Sequence, residues 1–161
     1  MKRLLVLPVL FLTLVVGNPA FSAEFLKGLE AADRRDFATA LGEFKPLAEQ
    51  GDVRAQSLLG FMYQKGKGVL QDHKTAIKWY KLAAEQGDVS AQVNLGGMYA
   101  KGTGTPQDYT RAYIWWNISA SQGNKIAREN RDKVEKKMSP SQLETAQRLA
   151  RECVKKNYKR C

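Results

Sequence analysis

The sequence predicts an all-α solenoid of about three stacked helix pairs, closed by a capping helix at each end. A repeat of 36 residues is the first observation, since residues 36–71 and 72–107 are identical at 20 of 36 aligned positions, against about two expected by chance. Apolar residues recur at helical spacing, and glycine or proline follows each such segment. One helix pair cannot bury its apolar face alone, so units of this length are expected to stack.

Composition bounds the class of protein before any motif is considered. The 161 residues are 43% hydrophobic and 26% charged, which fits one ordinary folded domain. A single histidine excludes a multi-histidine metal site, and two cysteines exclude a small disulfide scaffold or a zinc module. We therefore expect no cofactor and no metal. The formal net charge of +10 predicts a basic surface.

Residues 1–22 read as a secretory signal peptide. Lys2 and Arg3 precede the apolar run Leu4–Val16, and the small residues Ala20 and Ser22 then favour cleavage after Ser22. An uncleaved membrane anchor is the alternative, but the strongly apolar part is short for a span of about 20 residues. We expect an exported protein with no stable membrane span after cleavage, in an oxidising compartment that lacks ATP.

Five further segments follow in order. A capping helix is predicted in 23–35, around Phe25–Asp33, and is followed by repeat units at 36–71 and 72–107. A third unit, 108–138, begins in phase but degenerates, because Leu95 becomes Arg131 one period later. Such degeneration is expected of a terminal unit that presents one face to water. Residues 139–161 form the last segment, a helix with a basic tail.

Each unit reads as two helices joined by a glycine turn. In the second unit one apolar stripe marks the first helix, at Ala76, Trp79, Tyr80, Ala83 and Ala84. Gly87 ends this helix and Asp88 is the predicted N-cap of the next. Gly60 and Gly96 recur where helices must approach closely, while large aromatic side chains fill the wider gaps.

The C-terminal segment carries its own start signal and both cysteines. Ser139-Pro140-Ser141-Gln142 supplies an N-cap, a proline at the first helical position and a capping-box glutamine. We hypothesise a disulfide between Cys153 and Cys161; free thiols or an intermolecular bridge are the alternatives. Eight residues of helix rise about 12 Å, beyond the reach of a disulfide. The chain must therefore leave the helix and fold back through Asn157-Tyr158.

The repeated pattern A-E-Q-G-D-x-x-A-Q-x-x-L-G-x-M-Y-x-x-G-x-G, present twice and begun a third time, resembles the Sel-one-like repeat (SLR). That family is related to the tetratricopeptide repeat, and the resemblance covers about 36–132. It implies a right-handed αα superhelix that serves as a protein–protein interaction scaffold. The flanking helices look like those of short exported bacterial members, which implies a periplasmic or secreted protein of the bacterial envelope.

Candidate catalytic groups are few. His73 occupies the position of Phe37 and Tyr109 in the other units, so it is expected to fill a packing slot. The Gly66-Lys67-Gly68 segment lacks the G-K-[ST] ending of a phosphate-binding loop, and Glu85 and Asp88 are explained by helix ends. A cysteine-rich branch of the family has been associated with β-lactam binding or hydrolysis. Neither the serine β-lactamase motifs nor that branch's paired cysteines occur here, so we expect no catalytic residues and no enzyme.

The resemblance implies that the first helix of each unit lines the concave side of the superhelix. Its non-core positions are then the predicted partner-binding residues, namely Thr75, Lys78, Lys81, Arg111, Ile114 and Asn117. This mixture suits an acidic, partly hydrophobic protein or peptide. The alternative is a basic envelope protein that binds polyanions through Arg148, Arg151 and Lys155; export makes nucleic acid an unsuitable partner.

Overall fold

The computed structural model describes residues 19–159 and residue 161, and all of its regular structure is helical. The predicted signal peptide lies outside the described residues up to residue 18, and the first helix begins at residue 19. The helices are α1 (Pro19–Asp33), α2 (Phe37–Glu49), α3 (Val53–Lys65), α4 (His73–Ala84), α5 (Val89–Lys101), α6 (Tyr109–Ser121), α7 (Lys125–Glu135) and α8 (Pro140–Lys155). The predicted all-α fold is confirmed. None of these helices is long and apolar enough to cross a membrane.

Short polar side chains determine where the helices begin. The N-caps of α2 to α7 are Asp36, Asp52, Asp72, Asp88, Asp108 and Asn124, and the side chain of each accepts a hydrogen bond from a backbone N–H of the first turn. The predicted Asp88 cap is confirmed, with its Oδ1 2.6 Å from the backbone nitrogen of Ala91. The predicted capping box of Ser139 and Gln142 also forms at the start of α8.

The units stack as the repeat predicts, through close contacts between glycine and aromatic side chains. In each unit two helices pair (α2 with α3, α4 with α5, α6 with α7), and α3 and α5 also pack on the next unit. Ring atoms of Tyr80 lie 2.6–2.8 Å from where a Cβ on Gly60 would stand. The indole of Trp116 occupies the same place over Gly96 and donates to the backbone oxygen of Val93 at 3.0 Å.

Buried glutamines set the register between successive units. Gln56 and Gln92, 4% and 0% exposed, each donate from Nε2 to a backbone oxygen at the end of the preceding helix. Their Oε1 atoms accept from Gln86 and Gln122 of the following unit at 2.8 and 2.9 Å. A buried amide with all of these partners favours one register of stacking, because a shift would leave it unsatisfied.

The last helix departs from the stacking pattern. Whereas α4 and α6 each pack on the preceding second helix, α8 packs on α6 and makes no comparable contact with α7. After α8 the chain turns through Asn157 and Tyr158, whose φ angles are 50° and 64°. A disulfide joins Cys153 to Cys161, with their α-carbons 5.3 Å apart. The end of the solenoid is therefore closed by a helix laid over α6 and a disulfide-linked tail.

Candidate protein-binding surface

The two uncovered first helices, α2 and α4, expose the side that points away from their partner helices. We call this the first-helix surface and define it by Ala38, Gly42, Lys45, Pro46, Lys74, Lys78, Lys81 and Leu82, all of which are exposed. On α4 the apolar stripe of Ala76, Tyr80 and Ala83 is fully buried on the opposite side. Helix periodicity therefore forces the remaining positions outward.

The structure places Lys78 and Lys81 on this surface. Lys81 Nζ lies 3.8 Å from Glu85 Oε1, a pair one helical turn apart that contributes little at an exposed site. Leu82, 45% exposed, lies beside them. The surface is thus basic with an apolar neighbour, but that neighbour is Leu82, whereas the sequence had predicted Ile114.

Thr75 is engaged at the start of its own helix. Its hydroxyl donates to Asp72 Oδ2 at 2.6 Å, and its backbone nitrogen donates to Asp72 Oδ1 at 3.1 Å. These hydrogen bonds favour the carboxylate, so they hold the pKa of Asp72 below its ordinary value. Thr75 thus stabilises the N-terminus of α4 at the edge of the first-helix surface.

The prediction of an exposed Ile114 was wrong. Ile114 is 5% exposed and shares the wall of a cavity with Leu149 and Cys153 of α8. Ile118 is completely buried, although Leu82 at the same position of α4 is exposed. The cause is α8, which covers in the third unit the face that α4 leaves open. The sequence did contain a sign that this face of α6 is covered, since two isoleucines, Ile114 and Ile118, occupy the positions of Lys78 and Leu82 in α4.

The other two third-unit residues do not extend the surface. Arg111 is exposed, but its guanidinium lies 3.4 Å from Asp108 and 5.3 Å from the centre of the Tyr99 ring. Asn117 is half-buried and its Oδ1 accepts from Arg131 of α7 at 3.4 Å. The six predicted residues therefore do not form one groove. Of the six, only Lys78 and Lys81 belong to the exposed first-helix surface, which also includes Leu82.

The residues considered for chemistry occupy structural positions. The backbone and Cβ of His73 lie against Gly104 as Phe37 lies against Gly68, which explains why the units share this position. Asp88 caps α5 and accepts from Ser57 at 3.0 Å. Within the described part of the chain, no three histidine, cysteine, aspartate or glutamate side chains lie close enough to hold a metal ion.

The basic face of α8 is partly neutralised. Arg148 Nη1 lies 2.8 Å from Glu152 Oε1, one helical turn away. Arg151 and Lys155 are exposed on the same helix. This face therefore carries less net charge than its arginines and lysines alone suggest.

The repeated helix pairs match a known repeat family. The Sel1 repeat model matches residues 53–88 and 89–124. Each matched repeat therefore consists of the second helix of one unit and the first helix of the next, α3 with α4 and α5 with α6. The Gly60–Tyr80 and Gly96–Trp116 contacts each lie within one matched repeat. Sel1 repeats commonly serve as protein–protein interaction scaffolds. No curated protein gives a significant match.

Two solved structures resemble the chain closely. One is a protective antigen present in uropathogenic Escherichia coli strains and displaying an SLR fold; it is 33% identical, with a TM-score of 0.81 over 88% of this chain and 31% of that one. The other is a Sel1 repeat protein from Oxalobacter formigenes, 34% identical, with a TM-score of 0.64 over 66% of this chain and 44% of that one. This chain spans less than half the length of either. It carries two Sel1 repeats and has the SLR fold.

Proposed function

We propose that the protein is an exported, non-enzymatic scaffold that binds a protein or peptide partner on its first-helix surface. The observation that carries this proposal is the contrast between α4 and α6. Both helices present the same side outward, but α8 covers that side of α6, whereas Lys78, Lys81 and Leu82 of α4 are exposed. The helix α8 thus provides an example, within the chain, of how an amphipathic segment can occupy this side of a first helix.

The chemistry of the surface specifies the kind of partner. Lys74, Lys78 and Lys81 lie on the same side of α4 as Leu82, and α2 carries Lys45 at the position of Lys81, so a segment with carboxylates next to an apolar residue would complement this surface. On α2 the central position is Gly42, and nothing lies within 4 Å of where its Cβ would be. A side chain or backbone of the partner can therefore approach α2 closely.

Export is the second part of the proposal. The leader pattern in residues 1–22 supports it, as does the disulfide between Cys153 and Cys161, since disulfides persist in oxidising compartments. We place the protein in the periplasm or outside a bacterial cell. There the partner is another envelope or extracellular protein.

Charge reversal tests the proposal on the native partner. The Lys78→Glu/Lys81→Glu variant should capture less of the partner from cross-linked native envelopes, while its helicity and melting temperature stay close to wild type. Lys125→Glu/Lys136→Glu is the matched control, because it makes the same change of charge at two exposed positions. Lys125 is the first residue of α7, and Lys136 directly follows the helix.

The two variants separate the competing explanations. Loss of capture in the first variant alone supports the first-helix surface. Equal capture by a folded Lys78→Glu/Lys81→Glu protein would show that the partner binds elsewhere. Equal loss in both variants would indicate binding through net positive charge, as expected for a polyanion.

A further inference from the structure

A cavity of about 310 Å³ remains where α8 lies over α6. Packed helices normally leave few voids larger than a water molecule, and this volume is near the lower end of the range for small-molecule sites in proteins. We call it the α6–α8 cavity. It shares no residue with the first-helix surface, so an inference about this cavity does not depend on the proposed binding of a protein partner.

Much of the cavity wall is apolar. The side chains that form this part are Ile114 of α6, Leu149 of α8, and Cys153 and Cys161 of the disulfide. Ile114 and Cys153 are 5% and 4% exposed, whereas Leu149 and Cys161 are half-buried. Apolar surface of this kind is favourably covered by the apolar part of a ligand, because water is released from both.

The disulfide-linked tail is held in place beside the cavity. Asn157 and Tyr158 adopt left-handed φ angles of 50° and 64°, a conformation that is uncommon for a residue as bulky as tyrosine. The Tyr158 ring packs on the turn between α4 and α5, with Cε2 3.5 Å from where a Cβ on Gly87 would stand. This contact and the disulfide together keep Cys161 in the cavity wall. Backbone held in such a conformation is frequent at ligand-binding sites.

The charged residues of the cavity leave one positive charge uncompensated. Two carboxylates line it, and each has a cationic partner. Asp108 Oδ2 lies 3.4 Å from Arg111 Nε. Glu152 Oε1 lies 2.8 Å from Arg148 Nη1. Lys156 also lines the cavity, and its ammonium group forms no ion pair with any described residue. A ligand with one negative charge therefore complements the cavity best.

The hydroxyl of Thr110 gives the cavity a second donor. It forms no hydrogen bond to any residue that the structure describes. A carboxylate has two acceptor oxygens, so it can accept from an ammonium and a hydroxyl at once. We propose that the α6–α8 cavity binds a small carboxylate with a short hydrocarbon body. The carboxylate accepts from Lys156 and Thr110, and the hydrocarbon lies against Ile114, Leu149 and the disulfide.

Titration of the purified, disulfide-bonded protein with octanoate, followed by nuclear magnetic resonance, tests this proposal. We expect saturable shifts of backbone amide signals at Thr110, Ile114 and Leu149, with a millimolar or lower Kd. Octylamine has the same hydrocarbon body with a positive head group. It should bind about tenfold more weakly, because the attraction to Lys156 is replaced by repulsion. Octanol, which is neutral, should have an intermediate affinity.

A pair of neighbouring lysines separates a specific charge from net charge. Lys156→Gln should weaken octanoate binding by about fivefold, because it removes the unpaired ammonium from the cavity. Lys155→Gln is the matched control, since Lys155 is exposed on the last turn of α8 and does not line the cavity. It should leave the affinity for octanoate unchanged.

Two further variants test the apolar wall. Ile114→Phe places a larger side chain in the cavity, so it should abolish octanoate binding without lowering the melting temperature. Where this variant destabilises the fold, Leu149→Phe replaces it from the opposite helix. Cys161→Ser releases the tail from the wall and should weaken octanoate binding several-fold.

Four results would overturn the proposal. The absence of saturable shifts at millimolar octanoate would show that the cavity binds no such ligand. Equal affinity for octanoate and octylamine would show that the head group is not recognised. Equal weakening by Lys156→Gln and Lys155→Gln would indicate attraction to net charge alone. Undiminished binding by a folded Ile114→Phe or Leu149→Phe protein, or by Cys161→Ser, would place the ligand outside the cavity.

Discussion

Two adjacent glycines of α5 allow the stacking contact to be tested with a single added methyl group. A Cβ on Gly96 would lie 2.7 Å from Nε1 of Trp116, whereas a Cβ on Gly97 would meet nothing within 4 Å. Both positions are helical, so replacement by alanine improves helix propensity by about 0.8–1 kcal/mol at each. Only at Gly96 does the methyl group displace a side chain of the next unit.

The cost at Gly96 has two sources. Overpacking of a filled core costs about 1–3 kcal/mol. A shifted indole also loses its hydrogen bond to the backbone oxygen of Val93, worth about 1 kcal/mol. After the gain in propensity, Gly96→Ala should lower the free energy of unfolding by about 1–3 kcal/mol. Gly97→Ala should raise it by up to about 1 kcal/mol.

Urea denaturation followed by circular dichroism measures the difference between the two variants. At roughly 4 °C per kcal/mol, thermal midpoints should also separate the two variants by several degrees. A Gly96→Ala protein as stable as Gly97→Ala would refute the view that an aromatic ring seated on a glycine holds the units together.

Three other perturbations test the remaining structural claims. Cys153→Ser should lower stability by at most about 2.5 kcal/mol, and reductant should have the same effect on wild type; alkylation of two thiols without reductant would show that no bridge exists. Gln92→Leu should destabilise by about 1–3 kcal/mol, since it removes two hydrogen bonds of a buried amide, one to the backbone oxygen of Ala84 and one from Gln122; wild-type stability in a urea titration would contradict this role. The pKa of Asp72 is lowered in the folded state, so its carboxylate stabilises above about pH 4 and less as pH falls. The melting-temperature difference between wild type and Asp72→Asn should therefore shrink from pH 7 to pH 3, and a constant difference would exclude the carboxylate as its cause.

The fold could be predicted because the sequence contains two similar copies of the repeated helix pair. The 36-residue identity, the aspartate N-caps and the pairing of small with aromatic residues are all local or periodic signals, and the helices follow them. A structural role for Gln56 and Gln92 could also have been predicted, since the two glutamines recur one period apart. Their hydrogen bonds to the following unit could not be predicted, because these bonds depend on how closely the units stack.

The candidate surface could be predicted only where the periodic pattern holds. Lys78 and Lys81 are exposed because they lie off the buried apolar stripe of α4 and no further helix packs on their side. Ile114 was misplaced because the repeat fixes its position on α6 but not what covers that position. The covering helix α8 lies outside the repeat, so its docking on α6 depends on tertiary packing that periodicity does not encode.

Site-specific photo-cross-linking tests the central claim, partner binding on the first-helix surface, most directly. A photoreactive amino acid replaces Lys78 in one variant and Arg128 in another; both positions are exposed, and Arg128 lies on α7. After irradiation of intact cells, we expect a discrete adduct with one other protein from position 78, and none from position 128. An adduct formed from position 128 but not from position 78 would contradict the assignment of the binding surface.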